Sequence, residues 1–368
     1  LLECFIAVLM KLGGIDSYSL RREPPHNMTP TKITRPSGSS ITHFSIESKI
    51  IAQSSRGGFS ALRPHAAYTP ANVSPADKLP TIYLLAAWMG AGRAMFNWEP
   101  HREDLASRLD RLIETKAIPP CIVVCPDLYV EYGGSQYINS DWVGHHSDHI
   151  IYELIPFVET HFPVLHGRDH RAVLGRSSGG FGALRLVMDY DDVFGAAACH
   201  AGDMGFEWVY RRSLIDLCVG LAKVKDPSVW LADIRQQKKL SGFDTHVLML
   251  LGMCAFYSPN PNTVLGFDIP ILIQNGELVE TTWQRWLSHD PLSRLDQQSV
   301  VDRLGQLKKL FLDCGSRDQY FLQYGARQFV SKSKMLGIGL QYSEFDDNHS
   351  GTSYRFDESL PQLLAVIS

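Results

Sequence analysis

Apolar residues along this chain gather into short, nearly uninterrupted runs separated by stretches with helical spacing. Residues 81–87, 121–126, 171–174, 193–199 and 309–314 are such runs, and 340–345 reads as a last one. Strands buried on both faces of a parallel sheet have this pattern. Ahead of them, 41–52 alternates as a half-buried strand does, 58–65 reads as its hairpin partner and 70–80 as a loop. Helices fit 102–116, 150–162 with Pro156 as a kink, and the stretch in which Ala183, Leu184, Leu186, Val187 and Met188 supply the apolar content. A further helix fits 321–336, where Leu322, Phe329 and Leu336 share a face, and a terminal helix closes the chain. Strand and helix alternate, so the fold class is α/β.

The alternation breaks between residues 204 and 289. Apolar or amphipathic segments at 208–222, 229–239 and 247–256 follow one another there, ending near Trp283 and Trp286. Unbroken excursions of this length are usually functional, which points to a helical lid inserted between two strands, with a separate domain as the alternative. The expected organisation is an N-terminal arm (1–40, carrying Pro24, Pro25, Pro30 and Pro36), a first core part (41–203), the lid (204–289) and a second core part (290–368).

Composition narrows the function little but excludes some classes. With 45% apolar and 20% charged residues in 368, a large core is expected. A net charge of -4 gives no electrostatic case for nucleic acid or an anionic membrane. The seven cysteines form no C-x-x-C pair and several sit in apolar runs, so they read as reduced core residues. This points to a reducing, cytoplasmic setting, with a secreted form carrying a trimmed signal peptide as the alternative. The apolar opening from Leu1 to Met10 is too short to span a bilayer, and Glu3 stands where a leader has basic residues, so a short helix is expected.

The chemistry centres on Gly175-Arg176-Ser177-Ser178-Gly179-Gly180-Phe181-Gly182, between a strand and a helix. A serine on a sharp strand-to-helix turn needs small neighbours two residues to either side, and Gly175 and Gly179 supply them. No Lys-Ser or Lys-Thr follows the glycines, which excludes a P-loop. The Ser178 N–H, at the positive end of the helix, is the first oxyanion donor. The second is expected after the 81–87 strand, from Trp88, with Met89 as the alternative. Gly90 and Gly92 do not extend into a dinucleotide fingerprint.

Serine needs a base, and the base an orienting carboxylate. In α/β-hydrolase order these come as Ser, acid, His, each in a loop after a strand, which fits Ser177, Asp318 and His349. Asp313 lies within a strand, Asp346 and Asp347 share a short loop with His349, and His200 precedes the acid, so these rank lower. His200 and Asp203 nevertheless end a strand at the same sheet edge, and His200 is a candidate substrate contact. Gln136, Tyr137 and Asn139 are further candidates on the loop after the 121–126 strand, and Trp283 and Trp286, three apart, would turn an aromatic face to the ligand. His145 and His149 share a helix face, but the zincin glutamate is missing; Ser147 or Asp148 capping a helix explains the cluster, and no metal is expected.

The elbow sequence, Glu153-Leu154-Ile155-Pro156, Asp313-Cys314-Gly315-Ser316-Arg317-Asp318 and the His349 loop together resemble the putative esterase family, which includes esterase D, feruloyl and enterochelin esterases and mycolyltransferases. The resemblance covers roughly residues 41–368. It implies a cofactor-free α/β-hydrolase fold, a three-layer sandwich around a mostly parallel sheet, and carries nucleophile, acid and base onto Ser177, Asp318 and His349. Two departures stand out: Ala86-Ala87 replaces the usual His-Gly, and Arg176 is a bulky, charged residue before the serine. The expected function is hydrolysis of a small-molecule carboxylic ester through an acyl-enzyme. An acyltransferase using the same intermediate, or an inactive fold serving as a binding module, is the alternative.

Overall fold

Nine strands form one sheet in the computed structural model, which describes residues 30–368 apart from residues 75 and 225. In chain order they are β1 (Thr31–Thr34), β2 (Ser40–Glu47), β3 (Leu62–Thr69), β4 (Thr81–Leu85), β5 (Ile122–Cys125), β6 (Arg171–Arg176), β7 (Ala196–His200), β8 (Lys309–Gly315) and β9 (Gln341–Phe345). Their spatial order is β1-β2-β3-β5-β4-β6-β7-β8-β9. Strands from β5 to β9 run parallel, while β1, β2 and β3 form an antiparallel edge.

Side-chain alternation along β4 splits the core in two, because successive residues of a strand face opposite sides. Tyr83 and Leu85 join the layer of the helix Ser178–Asp189, whereas Ile82 and Leu84 join the layer of Leu105–Glu114 and Phe356–Ile367. The result is a three-layer α/β-hydrolase fold. The six described cysteines are unpaired and buried, and burial alone pushes the Cys121 thiol up to about 12. Among the described residues no helix is long and apolar enough to cross a membrane.

The expected arm, 1–40, lies up to residue 29 outside the described residues, and its end is not a loose arm but β1, paired with β2. The 41–52 strand also stops early. Ser48 ends it, because its hydroxyl accepts the Ile51 N–H and caps a helix, Lys49–Ser54. Glu153 completes this cap by accepting the N–H groups of Lys49 and Ile50.

That carboxylate also organises the histidine cluster, which does not cap the helix. The helix starts at His146 rather than after Ser147 or Asp148, whose side chains instead bind the Tyr137 carbonyl and the Tyr190 hydroxyl. His149 Nδ1 lies 2.7 Å from Glu153, and its Nε2 lies 3.3 Å from His65 Nε2. His65 Nδ1 accepts the Asp127 N–H, so both tautomers are fixed and each imidazole is neutral. The helix passes through a π turn, Ile150–Leu154, before Ile155–His161, with Pro156 in the first turn of the latter.

Between β7 and β8 the chain forms a run of helices, among them Leu214–Leu221, Pro227–Gln236, Gly242–Tyr257 and Glu280–Leu287. Trp283 and Trp286 do not face a ligand: they are 1% and 0% exposed and pack this segment onto the core. The Trp286 indole donates to Ser258 Oγ (2.9 Å) and stands edge-on to Tyr257, while Trp283 donates to Glu207 (3.0 Å). Trp286→Ala is therefore expected to cost about 3–5 kcal/mol by leaving a cavity. Denaturant unfolding checks it, and an unchanged midpoint would contradict the packing role.

Burial holds His65 and His146 well below 6.5 and lowers His149. Burial would raise the Glu153 carboxyl, but hydrogen bonds from His149, Ser48 and Ile50 outweigh it and hold it at about 2. Below pH 6.5 the unfolded chain gains protons that these folded imidazoles refuse, and below 4.5 it gains one that Glu153 refuses. Stability should thus fall as pH drops from about 7.5 to about 5 and fall further below 4.5. Urea midpoints across that range measure it, and a flat profile would mean that these groups bind protons as readily in the fold as in the unfolded chain.

Candidate active site

Ser177 sits where β6 turns into the helix Ser178–Asp189, with φ 57 and ψ -125, a left-handed conformation that a non-glycine residue adopts only under strain. The neighbours that permit it are glycines for steric reasons. A Cβ on Gly175 would lie 2.3 Å from the Gly179 backbone, and one on Gly179 would lie 2.2 Å from the Leu85 carbonyl. The Ser177 N–H donates to the His200 carbonyl at 2.9 Å, and its own carbonyl accepts the Phe181 N–H as the first helical bond.

Asp318 and His349 come from the loops after β8 and β9 and meet with His349 Nδ1 2.7 Å from Asp318 Oδ2. A carboxylate only accepts, so Nδ1 carries the proton and Nε2 is left with a lone pair. Asp318 is fully sequestered, its second oxygen taken by the Tyr320 N–H at 2.8 Å, and Tyr320 also stands edge-on to the His349 ring. The Gln319 side chain accepts the His349 N–H, and Arg176 donates to its carbonyl, so the loop is held from two sides.

Ser177 and His349 line one cavity of about 300 Å³, together with Ser178, Trp88 and Met89. Ser178 N–H, in the first turn of its helix, has no intrahelical acceptor. The Met89 N–H is spent on the Gly133 carbonyl at 2.6 Å. Trp88 wedges its ring against Gly133, Gly134 and Gly252, which fixes the loop after β4.

The far wall belongs to the segment between β7 and β8. Val209, Met249, Leu250 and Met253 give it an apolar surface, and His246, paired with Asp216 at 3.1 Å, stands among the lining residues. The legible signal for this wall was the apolar run from Val247 to Phe256 in the helix Gly242–Tyr257, which is largely buried beyond its exposed first turn. Asp203 also lines the cavity; burial pushes its carboxyl up, while it accepts from Tyr210 OH at 2.7 Å and Gln136 Nε2 at 3.3 Å.

None of the six expected substrate contacts lines this cavity: Trp283 and Trp286 are packed in the core, and the other four lie elsewhere. Gln136 is completely buried behind it, bridging Asp203 and the Ser178 hydroxyl. Tyr137 packs against Gly182 and donates to the Ala86 carbonyl at 2.8 Å, and Asn139 holds the Asp148 N–H. The loop after β5 turns inward because its own apolar residues, Leu128, Val130, Tyr132 and Ile138, are core. His200 faces away from the cavity as well: its Nδ1 meets Asp313 at 2.7 Å and its Nε2 meets the Ser359 hydroxyl at 2.8 Å.

Solved structures share this fold at low sequence identity. A ferulic acid esterase aligns with a TM-score of 0.60 and 16% identity over 90% of this chain and 99% of its own. An S-formylglutathione hydrolase from Agrobacterium tumefaciens gives 0.55 and 17% over 93% and 100%. A fluorophosphonate-binding serine hydrolase of Staphylococcus aureus gives 0.54 and 16% over 90% and 99%. The family model described as "Putative esterase" matches residues 59–366, so the chain belongs to that family and is a carboxylic ester hydrolase.

Proposed function

We propose that the protein cleaves small-molecule carboxylic esters through an acyl-enzyme on Ser177, with His349 as base and Asp318 as its orienting acid. The observation that carries this reading is the strained Ser177 sharing a cavity with His349, whose Nδ1 is engaged by buried Asp318. Ser177 Oγ attacks the carbonyl carbon while His349 Nε2 takes its proton, and the C–O bond then breaks as His349 returns that proton to the leaving oxygen. Water repeats the sequence on the acyl-enzyme. The oxyanion is held by the N–H groups of Ser178 and Trp88, since Met89 is already engaged. The segment between β7 and β8 acts as a lid, offering the substrate its apolar wall.

The elbow is a backbone feature, so Ser177→Ala should fold normally and lose about four orders of magnitude in turnover of an aryl acetate. The comparison variant is Ser178→Ala, whose hydroxyl only contacts Gln136. Activity kept in the first and lost in the second would overturn the assignment.

Two aspartates near the end of β8 make a sharper pair. Asp318→Asn should lower kcat by about three to four orders of magnitude with little change in Tm. Asp313→Asn should instead cost about 1–3 kcal/mol of stability, because Asp313 binds His200 and Arg355 in a sealed site. Rates and melting curves of both variants decide it, and the opposite pattern would exchange their roles.

A further inference from the structure

Arg176 precedes the serine and lines the cavity beside it. A guanidinium is an odd wall for a site that must receive a neutral ester group. Among the described residues its one side-chain hydrogen bond runs from Nη1 to the His349 carbonyl at 2.8 Å, and Nε and Nη2 have no partner there. These two nitrogens form the side-on edge of the fork, whose spacing matches both oxygens of a carboxylate.

Two acids act on Arg176 through space, Asp318 and Glu99, and among the described residues neither forms an ion pair with it. Asp318 is bound to His349, Asp203 to Tyr210 and Gln136, and Glu99 to Arg102. Burial, and after it the charge of Arg102, lower the Arg176 pKa against a smaller opposing pull from Asp318 and Glu99. Arg102 itself stands near the cavity lining, with a guanidinium nitrogen 3.2 Å from where a side chain on Gly351 would begin. A charge drawn partly out of water and only partly compensated is held at a cost, and an anion in the cavity would reduce it. The other acid in the lining, Asp203, is reached by Tyr210 and Gln136 and does not pair with Arg176.

We infer that Arg176 is a specificity-determining residue that selects esters whose alcohol portion carries a carboxylate, bound side-on through Nε and Nη2. The alcohol portion is indicated because Arg176 is fastened to the backbone of His349, the group that returns the proton to the leaving oxygen. This rests on the serine-hydrolase reading above and adds the substrate class.

The test compares meta-acetoxybenzoate with its near-isosteric neutral partner, meta-acetoxybenzamide. The wild-type protein should favour the carboxylate by about tenfold or more in kcat/KM, and Arg176→Gln should erase that preference mainly through KM, with Arg176→Lys recovering part of it. If Arg176 only steadies the His349 loop, the Gln variant slows both esters in equal proportion, which would overturn the inference; so would a wild type without preference. Should Arg176→Gln fail to fold, inhibition of the wild type decides: benzoate should act at about tenfold lower concentration than benzamide, and equal potency counts against the idea. Cleavage of the benzamide ester without preference removes only the role of Arg176. Failure to cleave either ester, together with no labelling by a fluorophosphonate, removes the serine mechanism and this inference with it.

Discussion

The close approach of Gly175 to Gly179 is the constraint on which the site depends. Only where β6 and its following helix come within a glycine's thickness of each other, and the helix within the same distance of β4, can the chain reverse sharply enough to lift Ser177 out of the sheet. The strained serine backbone is anchored rather than tolerated, because its N–H is bonded to β7 and its carbonyl opens the helix. Parallel neighbours then bring the loops after β8 and β9 to the same sheet edge, and the His349–Asp318 pair follows from that placement.

Much of this was legible in the sequence, for identifiable reasons. Strands buried on both faces leave short apolar runs bounded by turn residues, so β4 to β8 could be read within two residues, except for a start of β7 placed three residues early. The elbow was legible because its steric demands select particular residues at fixed spacing. Legibility ended where a residue's role depends on its direction. Trp283 and Trp286 have the same three-residue spacing whether they meet a ligand or the core, and the core has them. Gln136, Tyr137 and Asn139 lie on a loop at the correct edge, but that loop is pulled inward by apolar neighbours scattered along it. The partnership of His149 with His65 joins residues 84 positions apart and left no local trace.

The sheet carries two strings of Ser, His and Asp. His349, backed by sequestered Asp318, opens onto a cavity with Ser177, whereas Asp313, His200 and Ser359 are joined by bonds of 2.7 and 2.8 Å within the core. In the second string every member is at most 2% exposed, so no carbonyl can approach and the hydrogen bonds tie β7, β8 and the terminal helix together. Geometry alone would therefore nominate two sites. Access to a ligand separates them, and it also explains why the sealed histidine can hold the elbow in place through its carbonyl.

The helix Gly242–Tyr257 faces the cavity through Met249, Leu250 and Met253 and the core through Val247, Leu251 and Phe256. Beyond its exposed first turn it has little surface in solvent, so it ties substrate range to folding: a residue that widens the pocket also loosens the interior beneath it. Drift toward new esters would thus proceed by exchanges that conserve volume, for which unbranched, polarizable methionine is the natural currency. A descendant of this chain that accepts a much larger acyl group would have to thicken its core elsewhere first.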